Sequence, residues 1–198
     1  KEWIAKWQGK FGQGWDKLRE ETLARQIKMG IVPPGTKLAP KPQAIKDWDK
    51  LSADEKRLFT RQVEVFAAFV DYTDHEIGRV IQAVEDLGEL NNTLIIYISG
   101  DNGASAEGMV NGTPNEFTTF NGVPVPVKAQ MLWYPFWGSE RTFPHFAAPW
   151  AWAMDTPFKW TKQMASHFGG TRQGMAISWP GHIKDVGGIR HQFHHVID

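Results

Sequence analysis

Asp101 and Asn102 stand side by side between Gly100 and Gly103, at the end of the apolar run Leu94-Ile95-Ile96-Tyr97-Ile98. A carboxylate and an amide carbonyl are both oxygen ligands, suited to a hard cation such as calcium or magnesium. The carboxyl end of a strand is also where open α/β folds bind their ligands. Neighbouring side chains on an extended strand point to opposite faces, so both oxygens reach one ion only where the chain leaves the extended form, which flanking glycines allow. The competing reading is a plain turn, because Asp, Asn and Gly are the commonest turn residues. His191, His194 and His195 would share one face of a helix. That pattern suggests zinc, but no fourth ligand accompanies it. Tyr72, Asp74 and His75 fall inside a helical pattern, where hydrogen-bonded helix positions are the simpler reading.

The elements that must position these residues follow from periodicity. Leu94 to Ile98 is nearly continuous in apolar character, which predicts a strand of a parallel sheet covered on both faces. Ser52-Ala53-Asp54-Glu55 has the capping-box pattern and opens the longest helix, with Leu58, Phe66, Phe69, Val70, Ile77, Val80, Ile81, Val84 and Leu87 as its stripe and Gly88 as its stop. This helix is expected to pack under the sheet. Helix, short turn and buried strand make half of a β-α-β crossover, so the predicted class is α/β, doubly wound. Upstream, Trp15 to Met29 carries Trp15, Leu18, Leu23 and Ile27 on one face and meets Gly30, a second helix. A short helix is expected within residues 1–14, and an exposed Pro- and Lys-rich excursion from Val32 to Leu51.

Residues 104–154 have no sustained period and are rich in Gly, Pro, Asn and aromatics, which predicts a long irregular insertion with one short helix. Phe117, Phe120, Trp133, Tyr134, Phe136 and Trp137 either fold over the mouth of a site or pack together as a satellite cluster.

The 198 residues hold 22 basic and 22 acidic side chains, so bulk charge supplies no case for a nucleic-acid partner. No apolar run approaches the length of a membrane span, and KEWIAKWQGK lacks the apolar core of a signal peptide. Zero Cys excludes disulfides, zinc-thiolate sites and a cysteine nucleophile within this stretch. Neither the oligomeric state nor the compartment leaves a signal.

The string YISGDNGASAEG, residues 97–108, resembles the Asp-Asn-Gly metal-binding segment of the formylglycine-dependent sulfatases, in the alkaline phosphatase-like superfamily. A second match runs through Asp155-Thr-Pro-Phe-Lys-Trp-Thr-Lys162 and His167-Phe-Gly-Gly-Thr-Arg172 to the strand GMAISWP, residues 174–180. The resemblance implies a mixed, mostly parallel sheet with helices on both faces. It implies calcium, or magnesium in its place, held by Asp101 and Asn102. Lys162 is implied as the contact to the sulfate and leaving oxygen. Spacing departs slightly from the commoner pattern and Phe168 stands where Glu is usual, which keeps Lys159 as a substitute. His167 is close enough to donate to the leaving oxygen or to support a residue that does. The family's nucleophile comes from a Cys/Ser-x-Pro/Ala-x-Arg motif, and none with a Cys occurs here. The expectation is therefore the C-terminal portion of a catalytic domain, with the nucleophile and remaining metal carboxylates elsewhere and a helix opening at Asp198. On that expectation His191, His194 and His195 are structural. The implied substrate is a small-molecule sulfate monoester, with no nucleic acid and no membrane span. A phosphonate or phosphodiester hydrolase of the same superfamily, or a non-catalytic binding fragment, are the alternatives.

Overall fold

The computed structural model describes residues 2–195 and 197. The helix expected to open at Asp198 lies outside the described residues. Helix α1, Glu2–Trp7, lies along the later part of α3, Ala53–Asp86, where Lys6 Nζ and Trp7 Nε1 both donate to Asp71 at 2.9 Å. Between them runs α2, Gly14–Lys28. The capping box is formed in full: Glu55 N–H donates to Ser52 Oγ at 3.3 Å and Ser52 N–H to Glu55 Oε2 at 2.8 Å. Two of the N-terminal N–H groups that no intrahelical carbonyl can reach are satisfied in this way.

The core is a knot of tryptophans. Trp15 of α2 meets Trp48 and Trp150 edge-on, with ring centroids at 4.8 and 5.5 Å, and Phe59 of α3 lies at 5.6 Å. Edge-to-face packing is the favoured geometry for such rings. Trp48 belongs to the stretch expected to be an exposed excursion. Val32, Ile45, Trp48 and Leu51 are instead buried, and Trp15 Nε1 donates to the Lys46 carbonyl at 3.1 Å. Isolated apolar residues spaced along a proline-rich loop pin it to the core without leaving a period to read.

Most of residues 104–154 is irregular, but more helical than expected: α4, Glu116–Phe120; α5, Val127–Gln130; a 3₁₀ turn, Tyr134–Phe136; and α6, Ala148–Met154. In α6 the residues Pro149 to Ala153 are all buried, and a helix apolar on every side shows no amphipathic pattern. Of the six aromatics, Trp137 is in the core, Tyr134 stacks under Arg57 at 4.4 Å, and Phe117 and Phe120 form an exposed group with Phe143.

Three expectations about the sheet are corrected. Strand β1, Ile95–Ser99, pairs antiparallel with β2, Gly174–Ser178, with Tyr97 opposite Ala176 and Ser99 opposite Gly174. The chain leaves and re-enters the ribbon at the same end, and that return makes the pair antiparallel, whereas a parallel neighbour needs a crossover to the far end. The described residues also do not cover the faces of the ribbon: Ile96 is 53% exposed and β2 is exposed throughout. The long helix does not lie under this ribbon. Its buried residues run from Leu58 to Ala68 and face the tryptophan core, and Phe69, Val70, Val80 and Leu87 beyond them are exposed. Among the described residues no helix is long and apolar enough to cross a membrane. Helices and strands are thus both present, as in an α/β fold, with the sheet reduced to one ribbon among the described residues.

Candidate functional site

Two loops grow out of the open end of the ribbon. The first leaves β1 at Ser99; the second, residues 155–173, ends in the short helix α7, Phe168–Thr171, just before β2. They are fastened to each other. Lys162 N–H donates to the Ala104 carbonyl at 3.0 Å and Gln163 N–H to the Asn102 carbonyl at 3.3 Å. At the crossing Gly103 has φ 96°, a left-handed value that favours glycine. A Cβ there would collide with the Gly169 carbonyl oxygen and come within 2.9 Å of the Lys162 nitrogen. The close approach of the loops therefore depends on a glycine at this position.

On the first loop, Asp101 is exposed and its Oδ1 accepts the Asn102 N–H at 2.9 Å. The Asn102 Oδ1 is buried and has no hydrogen-bond partner. An amide oxygen taken out of water without a partner is costly, and a hard cation would satisfy it. The pair of oxygens fits calcium or magnesium in type. It does not fill a shell: calcium takes six to eight oxygens, and among the described residues no three His, Cys, Asp or Glu converge.

Lys162 lies between the loops. Its Nζ is 3.3 and 3.4 Å from the two oxygens of Glu107. The Ser105 hydroxyl donates to Glu107 Oε2 at 2.8 Å, and its oxygen accepts the Glu107 N–H at 3.3 Å. His145 Nε2 is 2.8 Å from the same hydroxyl, and His145 Nδ1 is 3.0 Å from the Phe146 carbonyl. The Ser105 hydroxyl and the nearby Lys162 hold the Glu107 carboxyl below the usual carboxylate range, against the opposing effect of burial. Lys159, the alternative lysine, is exposed with its Nζ over the Trp160 ring at 5.9 Å. His167 precedes α7, with Nδ1 2.8 Å from Ser166 Oγ. Residues 191–195 are not helical, so the shared histidine face does not form.

Beneath the first loop sits Asp155. The Ala104 N–H donates to its two carboxylate oxygens at 3.1 and 3.3 Å. Burial pushes this carboxyl up to about 7, opposed by that N–H and by the charge of Arg19. Arg19 of α2 is fully buried, donates to the Trp152 carbonyl and to Pro157 O at 3.4 Å, and covers the Trp152 ring at 3.9 Å. Burial pushes Arg19 down to about 10, so it stays cationic at neutral pH. Gln26 of α2 adds a bond to the Thr156 carbonyl at 2.8 Å. Helix α2 is thus the platform on which the second loop begins. Sequence reasoning missed Ser105, Glu107, His145, Asp155 and Arg19 as a supporting set. One signal was present: Arg19 follows Trp15 by one helical turn, on the apolar face of α2, where a charge needs a buried partner.

A model of the sulfatase family matches residues 1–198. The chain is 35% identical over 190 residues to an uncharacterised sulfatase of Schizosaccharomyces pombe, covering 93% of this chain and 32% of that protein. It is 26% identical over 182 residues to an arylsulfatase of Klebsiella aerogenes, covering 91% of this chain and 37% of that protein. The chain thus spans about a third of the length of these curated relatives.

Proposed function

Because the chain belongs to the sulfatase family, we propose that it carries the metal-loop and lysine side of a site that hydrolyses sulfate monoesters of the arylsulfatase kind. The observation that supports this most is the clasp between the Asp101-Asn102-Gly103 turn and the loop bearing Lys162, through Ala104 and Asn102. Calcium would be held by Asp101 and Asn102, together with carboxylates from another part of the longer protein, which would also supply the formylglycine nucleophile. The unpartnered Asn102 Oδ1 favours this assignment over an ordinary turn.

Sulfuryl transfer, like phosphoryl transfer, places growing negative charge on the leaving oxygen and spreads it over the peripheral oxygens. A bound calcium ion supplies Lewis-acid stabilisation of that charge. Lys162 contributes a positive donor where the charge develops, between two loops whose backbone bonds already fix its main chain, so little reorganisation accompanies the reaction. His167, at the start of α7 on the same loop, is the candidate donor to the leaving oxygen. Lys159 is assigned to solvent.

Metal content and aryl-sulfate turnover of the complete protein test this reading. Asp101→Ala is expected to lose both. Asn102→Asp is expected to keep the metal with altered affinity, since the extra negative charge strengthens cation binding and repels a sulfate anion. Full metal content and full turnover in Asp101→Ala would show that the residues form only a turn.

A further inference from the structure

The Lys162 ammonium is set against Glu107, and Glu107 is held more elaborately than a surface ion pair requires. Both side chains are about 30% exposed, at 30% and 29%. A pair of that kind adds little to stability, so folding alone does not account for the apparatus behind it. The Ser105 hydroxyl donates to Glu107 Oε2, its oxygen accepts the Glu107 N–H, and His145 Nε2 lies 2.8 Å from it. A hydroxyl offers one donor and two acceptor positions, and three neighbours surround this one. His145 in turn is fixed through its main chain, with Thr113 N–H donating to His145 O and His145 N–H to Thr113 O, each at 2.9 Å. Its ring lies on Phe146 at 4.9 Å. A rigid chain therefore runs from the Thr113 backbone through His145 and Ser105 to Glu107, and ends on Lys162.

We propose that Glu107 is a positioning residue for Lys162, with Ser105 and His145 setting the carboxylate that sets the ammonium. The proposal rests on the reading of Lys162 as the group that contacts sulfate. A lysine ends in a compact charge on a flexible four-carbon stem, and an ammonium that must meet a developing oxyanion loses efficiency if it wanders. Glu107 engages one direction of the ammonium, which has three donors, and leaves the others for an anionic oxygen. Ser105 and Glu107 also follow Asp101 and Asn102 on one short loop. That loop would carry the metal donors on its first turn and the anchor of the lysine on its second, so both positive groups are registered to the same backbone.

A double-mutant cycle on the complete, metal-loaded protein with nitrophenyl sulfate as probe separates this from a structural role. Glu107→Gln is expected to lower kcat by about 10–100-fold, the usual cost of removing a group that orients a functional one, with KM changed much less and calcium content unchanged. In a Lys162→Ala background the same substitution is expected to cost nothing further, within about two-fold. Ser105→Ala, which keeps the carboxylate but frees it, is expected to show a smaller loss that likewise vanishes in that background. Parental kcat in both Glu107→Gln and Ser105→Ala overturns the inference, as does an equal loss with and without Lys162. If Lys162→Ala itself turns over at the parental rate, the lysine reading falls and takes this inference with it. That result is distinct from an impaired Lys162→Ala beside an unimpaired Glu107→Gln, which sinks only the positioning role.

Discussion

Lys162 and Lys159 sit on one loop, and their surroundings separate them: the first faces Glu107 between two clasped loops, the second lies exposed beside Trp160. On the proposed reading Lys162→Ala lowers turnover by on the order of 10²–10³, the range for losing one transition-state donor. Lys159→Ala is expected to leave turnover at the parental level and stability within about 0.5 kcal/mol, as at other exposed sites. Steady-state kinetics on the two variants checks the pair. If Lys159→Ala is the inactive one, the loop has been read in the wrong register. Asp155 invites a second measurement. Its carboxyl is raised to about 7 in the folded protein, against about 3.9 when unfolded. Between those values the folded state binds the extra proton, so this group's contribution to stability falls as pH rises from about 4 to about 7 and stays flat above. Asp155→Asn keeps an oxygen for the Ala104 N–H and removes the charge. It is expected to be more stable than the parent at pH 8, by on the order of 2 kcal/mol after allowance for partial exposure, and no more stable near pH 4. Melting curves against pH decide it; a pH-independent difference would mean that the carboxyl is not raised. Of the candidate site, Asp101, Asn102 and Lys162 stand out in the sequence because their types and neighbours form a motif. Glu107, His145 and Asp155 do not, because the contacts to Lys162, Ser105 and the Ala104 N–H that tie them to the site span 55, 40 and 51 residues.

The ribbon and the two loops act as a unit, and Gly103 is its hinge pin. Gly103→Ala places a methyl on the Gly169 carbonyl in a backbone region that L-residues avoid. On the proposed reading the loops part, with loss of calcium affinity in the complete protein while the tryptophan core and its near-ultraviolet signal are retained. Calcium titration beside circular dichroism checks this, and parental affinity in Gly103→Ala would show that the close approach is unimportant to the metal. The longer elements were readable from pattern: the capping box at Ser52 and the stripe of α3 announce that helix. Helix α6 was hidden because Ala148-Pro-Trp-Ala-Trp-Ala-Met154 is apolar all round. The pairing of β1 was misread for a related reason. A continuous apolar strand signals two covered faces, but says nothing of which strand lies alongside, and the neighbour that β1 finds among the described residues returns from the same end.

At the level of the whole chain, two adjacent oxygen donors fall well short of a calcium shell, and with zero Cys these residues hold no cysteine from which a formylglycine could be made. The 198-residue chain by itself is expected to bind calcium weakly and to hydrolyse no aryl sulfate above a metal-only control. Turnover by the purified chain would sink the division of labour proposed for the site. The antiparallel ribbon bears on a different matter, the order in which the protein comes into being. Ile98 pairs with Met175, so β1 leaves the ribosome long before its partner does. At about 5–20 residues per second the intervening excursion takes on the order of 4–15 s to synthesise, and during that time the edge of β1 that β2 will cover lacks this partner, the kind of edge that recruits other chains. The residues that build the tryptophan knot, from Trp15 to Trp152, have all been made before β2 begins. The core can therefore pack before the ribbon closes, and among the described residues the clasp between the Asp101-Asn102 turn and the Lys162 loop follows it.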